Sequence, residues 1–220
     1  MPPVIESTRH DQVWLVQADE SIGEQAGEKA ARVADWVRAG RPFVVAHQAG
    51  IDPDRIRLGL TLPAIAAAPR SRLALIVPRA AIVRLQPPPL LAEAIAIAPE
   101  NWRERLRDVL ALAAVCGFAP RVYGSLAAEL ATGERFLVPD SDVDLLFDWR
   151  GEFDLMQLLD GLARFGDDAP KLDGEVRRAD GRAVAWRELL AALRAGGPAR
   201  VLAKSDTAAE LMMASEFVRL

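Results

Sequence analysis

The sequence predicts an α+β protein in two parts, an N-terminal α+β domain over residues 1–90 and a mixed-sheet domain over residues 91–220. Three observations predict it. Eleven of the fifteen prolines precede residue 100, and the run Pro87-Pro88-Pro89, which cannot be helical, reads as an extended linker between the parts. Before that run, short apolar stretches of strand character accompany one helical segment; after it, helical and strand-like segments alternate. Charge divides in the same way. Arg38 to Arg84 holds eight arginines against Asp52 and Asp54, a net of +6, whereas Tyr123 to Asp180 holds fourteen acids against six bases, a net of -8.

The elements follow in order. Glu24 to Ala39 has helical spacing through Ala26, Ala30, Val33 and Val37, and Gly40 suits the position just past its end. Arg41 to His47 and Arg72 to Pro78 carry the strand-like runs PFVVAH and LALIVP. Asn101 to Cys116 is an amphipathic helix with Trp102, Leu106, Leu110 and Ala113 near one face, stopped by Gly117. Arg121 to Tyr123 is a short strand, and Gly124-Ser125 opens a helix ending about Thr132. Asp142 to Phe147 is a strand and Phe153 to Phe165 a helix. Lys171 to Arg178 and Arg182 to Ala185 flank Asp180-Gly181, which favours a hairpin turn. Trp186 to Ala195 is a helix closed by Gly196-Gly197, and Val201 to Lys204 is a last strand.

Composition narrows the function classes. With 51% hydrophobic and 26% charged residues the chain is globular. Cys116 is the only cysteine, which excludes a disulfide framework and a thiolate zinc site within one chain. Its most apolar stretch, Leu73 to Leu85, is interrupted by Pro78, Arg79 and Arg84, so no membrane-spanning helix is expected. MPPVIE lacks the basic and apolar regions of a secretory leader, and the expected location is cytoplasmic. The net charge of -4 argues against a general nucleic-acid coat. An anionic substrate held by the basic stretch and a divalent cation held by the acidic one would suit the asymmetry.

The chemistry centres on SDVDLLFD, Ser141 to Asp148. In a strand, Val143, Leu145 and Phe147 point one way and Asp142, Asp144 and Leu146 the other. The two carboxylates then sit roughly 7 Å apart at the Cα level on one face. Like charges so placed are costly unless a cation offsets them, and Mg²⁺ suits hard oxygen ligands while leaving positions for water and phosphate. Alone, the pair is a weak signal and reads first as a solvated strand edge. Upstream, however, VYGS (Val122 to Ser125) runs a strand through Gly124 and Ser125 into a helix, which presents backbone N–H groups and a hydroxyl to a phosphate.

Strand, Gly-Ser, helix, then a strand with paired aspartates resembles the nucleotidyltransferase superfamily of the DNA polymerase β type. That resemblance implies a nucleotidyltransferase-type fold for the second domain, with Gly124 and Ser125 gripping a triphosphate and Asp142 and Asp144 holding metal. It also implies a third carboxylate from a neighbouring strand, for which KLDGEV offers Asp173, with Glu175 as the alternate. YGSLAAELATGERFLVPDSDVDLLFD, LDGEV, DGRAVAWREL and VLAKS, with HDQVWL, RPFVVAHQ, IRLGLTLP and RSRLALIVP before them, further resemble the malonate decarboxylase holo-acyl-carrier-protein synthase family, also called phosphoribosyl-dephospho-CoA transferases.

That family resemblance implies transfer of phosphoribosyl-dephospho-CoA from 2′-(5″-triphosphoribosyl)-3′-dephospho-CoA to a serine of the apo acyl-carrier subunit of malonate decarboxylase, with release of pyrophosphate. Two Mg²⁺ ions on Asp142, Asp144 and Asp173 are implied, with Asp173 or water as general base. Lys204, one of three lysines and the end of a predicted strand, is a candidate for a phosphate, and Arg121 a lesser one. The arginines of residues 38–84 suit either the donor's phosphates or an acidic carrier. The first domain would bind substrate or carrier, and neither nucleic acid nor membrane is expected as a partner. Two other readings share these residues: a nucleotidyltransferase that adenylylates a protein or small molecule, and a non-catalytic binding module of the same fold.

Overall fold

The structure, a computed structural model, describes residues 7–16, 22, 25–65, 70–152 and 154–219. The chain forms two compact units, one of Met1–Pro88 with Ala131–Arg135 and one of Pro89–Leu130 with Phe136–Leu220. The architecture is mixed α+β in both. Among the described residues no helix is long and apolar enough to cross a membrane.

The first unit comprises β1 (Gln12–Leu15), α1 (Ala30–Arg38), β2 (Phe43–Val45), β3 (Arg55–Leu62), β4 (Ser71–Pro78) and β5 (Ile82–Gln86). The strands form one antiparallel sheet in the order β4-β3-β2-β1-β5. Strict alternation puts Ile56, Leu58, Leu60 and Leu62 of β3 in the core, with Phe43 and Val45 of β2 and Leu75 and Val77 of β4. The expected single helix from Glu24 is interrupted. Glu24 lies outside the described residues, and Gly27 adopts a left-handed φ of 54°, so a 3₁₀ turn at Gly27–Lys29 precedes α1. Gly40 closes α1 with φ 64°.

The basic excess in this unit serves the fold to a large extent. Arg55, Arg57 and Arg79 donate to the carbonyls of Ile76, His47 and Pro53 at 3.1, 2.9 and 3.0 Å. Arg38 pairs with Asp35 and Arg41 with Glu134, while Arg84 lies over the Trp14 ring at 3.6 Å.

The second unit comprises α2 (Leu91–Ala94), α3 (Glu100–Val115), β6 (Arg121–Tyr123), α4 (Gly124–Thr132), β7 (Val143–Trp149), α5 (Leu155–Arg164), β8 (Leu172–Arg178), β9 (Ala183–Ala185), α6 (Trp186–Ala195), β10 (Arg200–Lys204), β11 (Ala209–Met213) and α7 (Ala214–Phe217). Its six-stranded sheet has the order β11-β10-β9-β8-β7-β6 and is mixed, because β7 and β8 run parallel through α5 while the other pairs are antiparallel. One face is apolar. Val143, Leu145 and Phe147 of β7, Val176 of β8, Val184 of β9 and Val201 of β10 form one core with the buried residues of α3, α5 and α6. The stripe of α3 is Trp102, Leu106, Val109 and Ala113; Val109 takes the place expected of Leu110, which is only partly buried. Leu106→Ala in so close-packed a site costs about 2–5 kcal/mol.

Stop signals act locally and are visible in the chain. Gly117 takes φ 87° while Phe118 donates its N–H to the Ala113 carbonyl at 2.8 Å, closing α3. Asp154 caps α5 by accepting the Gln157 N–H at 2.9 Å, and Phe153, the expected start of this helix, lies outside the described residues. The Asp180-Gly181 hairpin is present, with Gly181 at φ 83° and its N–H bonded to the Arg178 carbonyl at 3.0 Å. The triproline run is less free than a linker, since the Pro89 carbonyl accepts the Val122 N–H at 2.9 Å and Leu90 bridges to Arg121 beside β6. Val201 to Lys204 is not the last strand, because β11 follows and pairs with β10. Strands β1, β5 and β11 carry weak signals in the sequence and emerge only from pairing, and the short helices α2 and α7 are likewise weakly signalled.

Candidate active site

Asp144 is the second residue of β7, between Val143 and Leu145, both fully buried on the opposite face. Period two therefore turns it to the polar side of the sheet. Its register partners are Tyr123 on β6 and Asp173 on β8, and direct cross-strand neighbours share a face. Asp142 stands one residue before the strand begins, so the aspartate pair straddles the strand start instead of lying within it. One carboxylate oxygen from each of Asp142, Asp144 and Asp173 falls within 4.8 Å of the other two. Asp142 and Asp144 are half-buried and Asp173 is exposed. Three hard oxygen donors, one open to solvent, fit a divalent cation such as Mg²⁺ that retains water or phosphate ligands.

Two glycines make this approach possible. At Gly174, φ is 127° and a Cβ would stand 1.8 Å from the Leu145 carbonyl oxygen, so only glycine lets β8 run this close to β7. Its N–H donates to Asp173 Oδ1 at 2.8 Å, which orients that carboxylate. At Gly124, φ is 65° and a Cβ would fall 1.9 Å from Asp144 Oδ2. The glycine backbone thus lies directly against the carboxylate, at the first residue of the nine-residue α4. Ser125 follows, half-buried, in the first turn, where helical N–H groups and the dipole favour an anion.

The chain leading to Asp142 is fastened by a residue that sequence reasoning missed. Glu129 of α4 accepts the N–H groups of Phe136 and Leu137 on one oxygen, at 3.1 and 3.0 Å. Ser141 Oγ accepts the Val138 N–H at 2.9 Å, and the Ser141 N–H returns to the Val138 carbonyl at 2.9 Å. The helix that begins at Gly124 thereby also anchors the segment that delivers Asp142. The signal was slight: a single glutamate amid the apolar LAAELAT.

Lys204 ends β10, in register with Ala183 on β9, and its Nζ lies 3.8 Å from Glu175 Oε1. Glu175, the alternate third carboxylate, is opposite Leu146 and belongs to no acidic group with Asp142 and Asp144 among the described residues. Farther along the same face, Arg177 grips Asp148 in a two-pronged pair at 2.7 and 3.1 Å, and Arg121 Nε stands 4.0 Å from the same carboxylate. Arg121 is therefore engaged with Asp148.

Cys116 and Asp180, away from these aspartates, are shifted from their ordinary values. Burial, with the nearby charge of Asp154, pushes the Cys116 thiol up, which leaves it an inert core residue. Burial would raise Asp180, but hydrogen bonds from the Arg182 backbone and guanidinium, with the charges of Arg178 and Arg182, outweigh it and hold the carboxyl below its ordinary value.

Comparison with known proteins places this chain among the transferases. Residues 8–88 match the family model for the phosphoribosyl-dephospho-CoA transferase MdcG N-terminal domain, and residues 90–215 match the model for the C-terminal domain. Proteins named phosphoribosyl-dephospho-CoA transferase are similar along most of their length. The Bradyrhizobium diazoefficiens protein is 33% identical, over 96% of this chain and 92% of its own. That of Xanthomonas campestris is 34% identical over 93% of each, and that of Pseudomonas aeruginosa 35% over 83% of this chain and 82% of its own. The chain belongs to the phosphoribosyl-dephospho-CoA transferase family. No solved structure gives a significant match.

Proposed function

We propose that the protein transfers phosphoribosyl-dephospho-CoA from 2′-(5″-triphosphoribosyl)-3′-dephospho-CoA to a serine hydroxyl of the apo acyl-carrier subunit of malonate decarboxylase, releasing pyrophosphate. The observation that carries the reading is the meeting of the three aspartates with the Gly124 turn, in a chain whose relatives bear the transferase name. The serine oxygen forms a bond to the α-phosphorus while the bond from that phosphorus to the bridging oxygen of the β-phosphate breaks. The hydroxyl proton passes to Asp173 or to water, and the pair of electrons leaves with pyrophosphate.

Asp142, Asp144 and Asp173 would hold two Mg²⁺ ions, which when bound neutralise phosphate charge and acidify the acceptor hydroxyl. Gly124 and Ser125 cradle the outer phosphates at the start of α4, because backbone N–H groups there bring no charge of their own to desolvate. Lys204 adds a flexible positive charge to the leaving pyrophosphate. Asp173 is the exposed member of the three, and in this reading it meets the incoming hydroxyl.

Incubation of the enzyme with the donor, Mg²⁺ and apo carrier, followed by mass spectrometry of the carrier, tests the proposal. The expected result is a mass gain of one phosphoribosyl-dephospho-CoA on a single serine, abolished by chelator. An AMP-sized gain with ATP, or no gain with the donor, overturns it.

A further inference from the structure

We infer that Glu175 is a positioning residue for phosphate binding: it holds the Lys204 ammonium over the carboxylate side of the sheet, where Lys204 meets the outgoing phosphates. The inference rests on the phosphate role proposed for Lys204 above.

The argument begins with direction. Glu175 is on β8 and Lys204 on β10, with β9 between them. Two strand spacings separate their backbones, on the order of 10 Å. Nζ nevertheless lies 3.8 Å from Glu175 Oε1. Lys204 therefore reaches back across β9 toward the strand that carries Asp173, rather than outward past β11. The β9 residues in register, Ala183 opposite both Arg177 and Lys204, and Ala185 opposite Glu175, have side chains too short to block the passage.

The pair is asymmetric in the way a positioning device requires. The Glu175 side chain is 8% exposed and that of Lys204 is 44% exposed, so the carboxylate is fixed by its surroundings and the ammonium is the moving end. A lysine this exposed ordinarily spreads over many rotamers. A buried carboxylate opposite it narrows that spread at the cost of desolvating an anion, and a pair kept for stability alone would be matched by an apolar residue at position 175. At 3.8 Å the contact is an ion pair without a hydrogen bond, which leaves the ammonium donors for a phosphate. Glu175 follows Asp173 by two residues, roughly 7 Å along the strand, which is within the length of a diphosphate plus its ligands. The pairing also explains why the second carboxylate of KLDGEV stands apart from the three aspartates: its charge is answered by Lys204.

Calorimetry with Mg²⁺-pyrophosphate as the probe tests this on the full chain, and needs neither the donor nor the carrier. Lys204→Met should weaken pyrophosphate binding about tenfold and Glu175→Gln about fivefold, and the double variant should bind no more weakly than Lys204→Met alone. Lys204→Arg should keep most of the affinity. Glu175→Asp, which keeps the charge and withdraws it by one methylene, should fall between wild type and Glu175→Gln, and it serves if Glu175→Gln does not fold. The Mg²⁺-induced rise in melting temperature should survive Glu175→Gln. An unchanged pyrophosphate affinity in Glu175→Gln overturns the inference, as does an equal loss in the presence and absence of Lys204. Loss of the Mg²⁺ response overturns it too, by making Glu175 a metal ligand. If wild type binds pyrophosphate but leaves the carrier unmodified, the proposed reaction fails and the role of Glu175 stands. If wild type does not bind pyrophosphate, the role of Glu175 fails.

Discussion

Asp144 of β7 and Asp173 of β8 are direct register partners across the one parallel strand pair of their sheet. Carboxylates so paired repel, and Asp142 adds a third charge within 4.8 Å. The arrangement makes sense as a device for a cation, and its energetic consequences are measurable.

Removal of one charge should therefore stabilise the metal-free protein and abolish its metal response. Asp144→Asn is expected to melt at or above wild type in chelator, and to lose the rise that Mg²⁺ gives wild type. At a hundredfold excess over the dissociation constant that rise corresponds to about 2.7 kcal/mol, or roughly 5–10 °C. Asp142→Asn should behave alike. Transfer by either variant should drop below about 1% of wild type. Thermal melts with and without Mg²⁺, beside the carrier mass assay, check both expectations.

Gly124→Ala should be inactive while remaining folded. Its left-handed backbone strains any L residue by about 1–2 kcal/mol, a loss that a domain of this size survives. The added methyl, however, would lie 1.9 Å from Asp144 Oδ2 and must displace it. Displacement of about 1 Å in a catalytic group costs on the order of 100-fold in rate. A circular dichroism spectrum like that of wild type, combined with this loss of transfer, is the expected result; an active Gly124→Ala would show that the turn and Asp144 do not act together.

Glu129→Ala should release the segment before Asp142. Its carboxylate accepts two backbone N–H groups, and hydrogen bonds to a charged acceptor are worth about 1.5–3 kcal/mol each. A stability loss of about 3–6 kcal/mol is expected, with faster proteolysis between residues 133 and 142 and a fall in kcat. Glu129→Gln retains an acceptor oxygen and should recover most of both. Denaturant melts and limited proteolysis of the three proteins decide it.

Asp180 supplies a pH dependence whose sign follows from its lowered pKa. The unfolded chain binds the proton more readily than the folded one, so the contribution is fully present above the ordinary carboxylate value of about 3.9 and is lost as pH falls through the lower folded-state value. The melting-temperature gap between wild type and Asp180→Asn should be constant at neutral pH and close on acidification. A gap that widens on acidification would contradict the assignment.

Much of the second unit was legible in its residues. LDGEV, DGRAVAWREL and the stripe of α3 announce a strand, a hairpin leading into a helix, and an amphipathic helix, because glycines and period-two or 3.6-residue patterning act within a few residues. The break of the first helix at Gly27 was not, since a glycine inside a helical pattern is tolerated in many helices and only its left-handed φ shows that this one stops the turn. In the basic stretch of residues 38–84, Arg55, Arg57 and Arg79 spend donors on carbonyls, a use that leaves no mark in composition.

What the chain determined by itself was the chemistry available: aspartates two apart at a strand start, Gly-Ser before a helix, and two acids in LDGEV, all set by local periodicity and backbone freedom. What only the tertiary structure decided was which acid joins the others. Asp173 and Glu175 share a face of one strand, and sequence cannot rank them; the parallel register aligns Asp173 with Asp144, while β10 brings Lys204 to Glu175. Strand pairing is a long-range contact, made by hydrogen-bond register and packing between segments far apart in the chain, and so it assigns partners that no local pattern encodes.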